Sequence, residues 1–114
     1  MLHSIRQFIE ALQDPYGRTR TLGEIEVCRS SDGDPLRWVG NSAVVFKIRC
    51  GGRYKMLKCY TRPMEHLEAI YQEKLLRQEL YVWQADGQGE WCDVVVDDWI
   101  EGITLYESVM RSAD

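Results

Sequence analysis

Histidine and phenylalanine are scarce in this chain, two of each among 114 residues, and proline occurs three times. Apolar runs stop at four or five residues, too short for a membrane-spanning helix, so no membrane partner is expected. The opening Met1-Leu2-His3-Ser4-Ile5-Arg6 lacks the apolar stretch and cleavage site of a secretory signal, and the expected address is cytoplasmic. There is no basic excess either. Fourteen Lys and Arg against eighteen Asp and Glu leave a net charge of −4, which argues against a nucleic-acid partner. No G-x-S-x-G, H-E-x-x-H or complete phosphate-loop motif is present. Cys28, Cys50, Cys59 and Cys92 are never closer than nine positions, and His3 and His66 lie far apart. Metal sites commonly open with two ligands two to four residues apart, so no metal site is expected. A disulfide frame would suit an even cysteine count, but without a leader the expectation is reduced, mostly buried thiols.

What is present is enough for one domain with a modest core. Ser4-Ile5-Arg6-Gln7 has capping-box form, and Ile5, Phe8, Ile9 and Leu12 follow as one helical stripe. Asp14-Pro15-Tyr16-Gly17 ends it. So short a helix must lie on something, either as a packed appendage or as a docking element for a partner. A strand over 24–28 precedes a turn-rich stretch, 30–35. Two further strands, 43–50 and 53–60, are joined by Gly51-Gly52, whose residues accept the positive φ of two-residue hairpin turns. That turn sets the register so that partner numbers sum to 103. Val45, Lys47, Met56 and Lys58 then share one face, with Val44, Phe46, Ile48, Leu57 and Cys59 on the other. Pro63 suits the first turn of a helix running to about Gln78, with Leu67, Ile70, Tyr71 and Leu75 inward. A short strand over 79–84, a turn at 86–89, a strand over 93–99 and a helical start at 104–110 complete the expected elements. The predicted fold class is α+β: a twisted antiparallel sheet of about five strands with one packed helix and an amino-terminal helix. Residues 1–35 are read as an appendage to 36–114.

The texts "VGNSAVVFKI", "YKMLKCY" and "VVVDDWIEGITLYESV", in that order, resemble the phosphate-binding loop, lysine strand and hinge of the amino-terminal lobe of protein-kinase-like proteins. The likeness spans about residues 36–110 and is similar to bacterial kinase-like proteins. It implies an ATP-binding lobe. Gly40, Asn41 and Ser42 would form the loop tip, although the family's three glycines correspond to Trp38, Gly40 and Ala43. Read without the resemblance, that segment is an ordinary hairpin loop. Val45 and Met56 would sandwich the adenine, and Lys58 would meet the phosphates. As residues alone, Lys58 is either a buried ammonium in need of an anion or a lysine snorkelling from an exposed face. A helix glutamate should meet it: spacing favours Glu73, facing favours Glu68, and two solvated acids is the alternative. The hinge would use main-chain groups of Asp98 and Ile100, with Asp97 where the family places an apolar residue.

No H-R-D-x-x-x-x-N or D-F-G motif occurs. The base and the Mg²⁺-holding groups belong to a second lobe, so no catalytic residue is assigned and Mg²⁺ is expected only with that lobe. The implied ATP affinity is weak, and the implied partners are a carboxyl-terminal lobe, another protein or a second copy. The alternative function is a non-catalytic interaction module that retains the lobe's fold.

Overall fold

The computed structural model describes residues 3–84 and 87–99. Helix α1, Ile5–Gln13, starts at the expected capping box: Gln7 N donates to Ser4 Oγ (3.2 Å) and Ser4 N donates to Gln7 Oε1 (2.8 Å). Six strands follow: β1 (Ile25–Val27), β2 (Arg37–Val39), β3 (Ala43–Cys50), β4 (Arg53–Tyr60), β5 (Leu75–Trp83) and β6 (Gly89–Asp98). Between β4 and β5 lies α2, Leu67–Tyr71, which ends in one 3₁₀ turn, Gln72–Lys74. All described ladders are antiparallel, in the order β1-β3-β4-β6-β5. Strands β1 and β2 lie end to end on one edge of β3, pairing with its carboxyl-terminal and amino-terminal halves. The six strands therefore make a sheet five strands wide.

The β3–β4 hairpin turns on Gly51 (φ 60°) and Gly52 (φ 80°), and its register is Arg49↔Tyr54, Lys47↔Met56, Val45↔Lys58. A side-chain period of two then separates two cores. Val44, Phe46, Ile48, Leu57 and Cys59 join Leu80, Val82, Cys92 and Val94 on one face, under Phe8, Ala11 and Leu12 of α1. Phe8 and Leu12 are 2% and 0% exposed, and each such burial is worth about 1.5–3 kcal/mol. That packing is what holds a nine-residue helix marginal by itself. The opposite face gathers Ala43, Val45, Met56, Tyr60, Leu75 and Val95, with Met64, Leu67 and Tyr71 laid over it.

Strand β5 corrects the expected helix over 63–78. Pro63 precedes the helical segment, Ile70 is 63% exposed, and the chain is already extended at Leu75. The register of β5 on β6 shifts between Leu76↔Val94 and Leu80↔Cys92, so β5 carries two extra residues there. Asp93 pins this bulge: Gln78 N and Arg77 Nη1 donate to its carboxylate at 2.8 and 2.9 Å, while Gln78 adopts φ 50°. The last strand begins at Gly89, four residues before the expected start. The helical start over 104–110 and the hinge residue Ile100 lie outside the described residues.

Candidate functional site

Lys58 is the least expected occupant of the second core. It is 1% exposed, on β4, opposite Val45 and beside Met56 in the neighbouring register pair. Sheet geometry places it there: alternation turns Leu57 and Cys59 towards α1 and Lys58 towards α2. Among the described residues its one hydrogen-bond partner is the Tyr71 hydroxyl, at 3.3 Å. The rings of Tyr60 and Tyr71 stand 5.4 and 5.8 Å from Nζ. Burial lowers the lysine pKa, an effect that Tyr71 opposes in part. Burial, and then the neighbouring Tyr71 hydroxyl, hold the Tyr60 phenol protonated well above its ordinary range. The site is an ammonium wrapped in aromatic and aliphatic groups, with no carboxylate within ion-pair distance among the described residues.

The expected site residues separate into two groups. Val45 (0% exposed) and Met56 (6%) flank Lys58 as the register requires. The Gly40–Asn41–Ser42 connection reaches the same end of the sheet, because Ala43 pairs with Tyr60 and Thr61 N donates to the Ser42 carbonyl (2.8 Å). It is a three-residue turn whose Gly40 amide is used internally, donating to the Ala43 carbonyl at 2.8 Å. The glutamates are elsewhere. Glu68, its side chain 76% exposed, pairs with Arg77, and Glu73 is exposed. Neither lies within ion-pair distance of Lys58, because the helix expected to carry both inward is only five residues long. Where the resemblance implied a hinge, Asp98 pairs with Lys55 (2.6 Å) and Trp99 N donates to the Tyr54 carbonyl. Asp97 has a cationic partner: Lys74 Nζ sits 3.1 Å away, and that contact raises the Lys74 pKa.

The ground above Val45 and Met56 is occupied by the protein itself. Trp38, paired with Val45, leans on Trp99 with ring centroids 5.0 Å apart, and Trp38, Tyr71 and Trp99 all pack on this core. The Lys47 ammonium stands 4.7 Å from the Trp99 centroid and 4.6 Å from that of Tyr54. A flat ligand on Val45 and Met56 has to displace part of this aromatic cover.

Two further sites were not read from the sequence. Glu79 is 1% exposed and accepts from the amides of Arg20, Thr21 and Leu22 (2.7, 2.7 and 3.0 Å) and from the Thr21 hydroxyl. It anchors the loop before β1, and its only local signal is a carboxylate inside a strand of apolar residues. The second is a donor set on the opposite face, where His3, Glu90 and Cys92 converge. Glu90-x-Cys92 is a same-face pair on a strand, but nothing local joins it to His3.

No family model, curated protein or solved structure matches this chain.

Proposed function

We propose that this chain is the nucleotide-side lobe of a kinase-like protein, binding the phosphates of ATP at Lys58 and lacking the groups for phosphoryl transfer by itself. The observation that carries the reading is the buried Lys58 ammonium without a carboxylate partner among the described residues. A desolvated cation is costly until an anion joins it, and a phosphate entering beside Tyr71 supplies one. The Gly40–Ser42 turn at the same sheet end would add polar groups. The cover over Lys58 is shallow. Helix α2 buries none of its residues fully, and it is bounded by two non-glycine residues at positive φ, His66 (63°) and Gln72 (54°). Such backbone is costly, so α2 is the element best suited to yield to a ligand. Among the described residues neither Glu68 nor Glu73 meets Lys58, so the lysine–glutamate pair of an activated kinase is not formed, and Mg²⁺ would await carboxylates from a second lobe.

The test is thermal unfolding against Mg-ATP for the wild type and Lys58→Ala. ATP at ten times its Kd stabilises by about 1.4 kcal/mol, a rise in Tm of roughly 4–7 °C. The reading predicts a saturable rise in the wild type that Lys58→Ala loses. An unchanged Tm at millimolar ATP, or an equal rise in both proteins, refutes it.

A second reading, an interaction module, draws on one observation. Tyr81, Trp83 and Trp91 form an edge-to-face cluster on the β5–β6 hairpin, with centroids 5.2–5.3 Å apart, and Trp83 and Trp91 remain 47% and 38% exposed. Concentration-dependent size exclusion distinguishes a self-associating chain from one that stays monomeric.

A further inference from the structure

The second site lies on the α1 face, away from Lys58. Strand periodicity turns Glu90 and Cys92 to the same side of β6, and the segment entering α1 lowers His3 onto them. His3 is 3% exposed, and among the described residues neither of its ring nitrogens makes a hydrogen bond. Its Nε2 stands 3.4 Å from Glu90 Oε1 without hydrogen-bond geometry. Buried imidazoles are normally satisfied, so this one calls for a partner. The Cys92 thiol is 9% exposed as a residue and donates weakly to the Glu90 carbonyl at 3.8 Å. The remaining Glu90 oxygen accepts from Gln84 Nε2 at 3.3 Å, which orients the carboxylate.

The three donor atoms, one nitrogen, one oxygen and one sulfur, all lie within 4.8 Å of one another. Tetrahedral coordination at ordinary Zn–N, Zn–O and Zn–S lengths places donors about 3.3–3.6 Å apart. Side-chain rotations that draw the donors together by roughly an ångström therefore close the set around one ion. Imidazole, carboxylate and thiolate together suit a borderline-soft divalent cation and are a poor match for Mg²⁺ or Ca²⁺. The same three side chains line a cavity of about 890 Å³. The cavity gives water or a small ligand a route to a fourth coordination position.

We infer that His3, Glu90 and Cys92 form a three-ligand site for a Zn²⁺-class cation with its fourth position open to the adjoining cavity. Coordination releases the Cys92 thiol proton to solvent and leaves the metal's oxidation state unchanged. The ion would tie the approach to α1 to the start of β6, two segments almost the whole described chain apart. This inference does not rest on the nucleotide reading: no donor of the set touches Lys58, although Tyr60, Met64 and Leu67 from the Lys58 face also line the cavity.

Titration of the chelator-stripped full chain with Co²⁺ tests it directly. The expected result is one Co²⁺ per chain, with thiolate-to-cobalt charge-transfer absorption in the near ultraviolet and tetrahedral visible bands, all displaced by Zn²⁺. Cys92→Ser should abolish the thiolate band, whereas Cys28→Ser and Cys50→Ser should retain it. His3→Ala should weaken Zn²⁺ at least 100-fold, the upper end of what loss of a mere outer-shell partner costs. Absence of the band in the wild type overturns the site, and this outcome does not depend on how any variant folds. Persistence of the band in folded Cys92→Ser, or unchanged Zn²⁺ affinity in folded His3→Ala, overturns it equally. His3 and Glu90 would then be a close polar contact and nothing more.

Discussion

Replacing Glu79 by glutamine probes how a single buried carboxylate holds the loop before β1. Glu79 is 1% exposed and receives three backbone amides and the Thr21 hydroxyl. Burial alone would raise its pKa, but the bonds from Thr21, Leu22 and Arg20 outweigh that effect and the net shift is downward. Hydrogen bonds to a charged group contribute about 1.5–3 kcal/mol each, and the amide retains one acceptor while turning an N–H towards donors. Because Arg20 and Thr21 are exposed, their amides recover water, so the net loss should be nearer 2–4 kcal/mol than the sum. Urea unfolding at neutral pH reads this as a lower midpoint with an unchanged slope. The pH dependence has a fixed sign. A depressed folded pKa stabilises fully above the unfolded value, about 4.3, and is lost as pH falls through the folded value. The gap between wild type and Glu79→Gln should therefore close in acid. A gap below about 0.5 kcal/mol at neutral pH, or one that persists unchanged below pH 3, refutes the anchoring role.

Other perturbations have equally definite signs. Lys58→Met removes a desolvated cation while keeping the volume, so it should raise the urea midpoint and abolish any response to ATP; a lower midpoint would show that Lys58 already has a stabilising anion. Leu12→Ala, at 0% exposure, should cost about 2–5 kcal/mol by urea unfolding, and a loss under 1 would mean that α1 is not part of the main core. A Cβ at Gly89 meets the Tyr81 ring. Gly89→Val should therefore cost about 1–3 kcal/mol and shift the Tyr81 ring resonances, with much of the cost relieved in Gly89→Val/Tyr81→Ala; equal cost in both backgrounds would contradict the close approach.

What could be read from the sequence was whatever local chemistry enforces. Gly51-Gly52 specifies a turn length, turn length specifies register, and register puts Val45, Met56 and Lys58 on one face. Ser4 and Gln7 announce a helix start for similar reasons. The misread stretch, 75–78, has a physical cause. Leu67, Tyr71 and Leu75 do pack on one core, at the spacing of a helical stripe, but the last of them already belongs to β5. The bulge depends on Asp93, and no rule of local periodicity links Gln78 to a carboxylate fifteen positions later. The His3–Glu90–Cys92 set and the Glu79 anchor were hidden likewise, since each is assembled by β6 or β5 docking against a segment from the chain's first quarter. The expected Lys58–glutamate pair failed with the helix: once β5 starts at Leu75, too little chain remains to carry Glu68 or Glu73 inward.

The central claim is that a buried lysine on β4 is reserved for phosphate. Its most direct measurement is the ¹³Cε resonance of Lys58 in isotopically labelled protein, followed as ATP is added. A saturable shift of that one lysine, with its pKa moving up from a depressed value as the anion arrives, is the predicted result. A Lys58 signal that stays in place through millimolar ATP while the protein remains folded would contradict it.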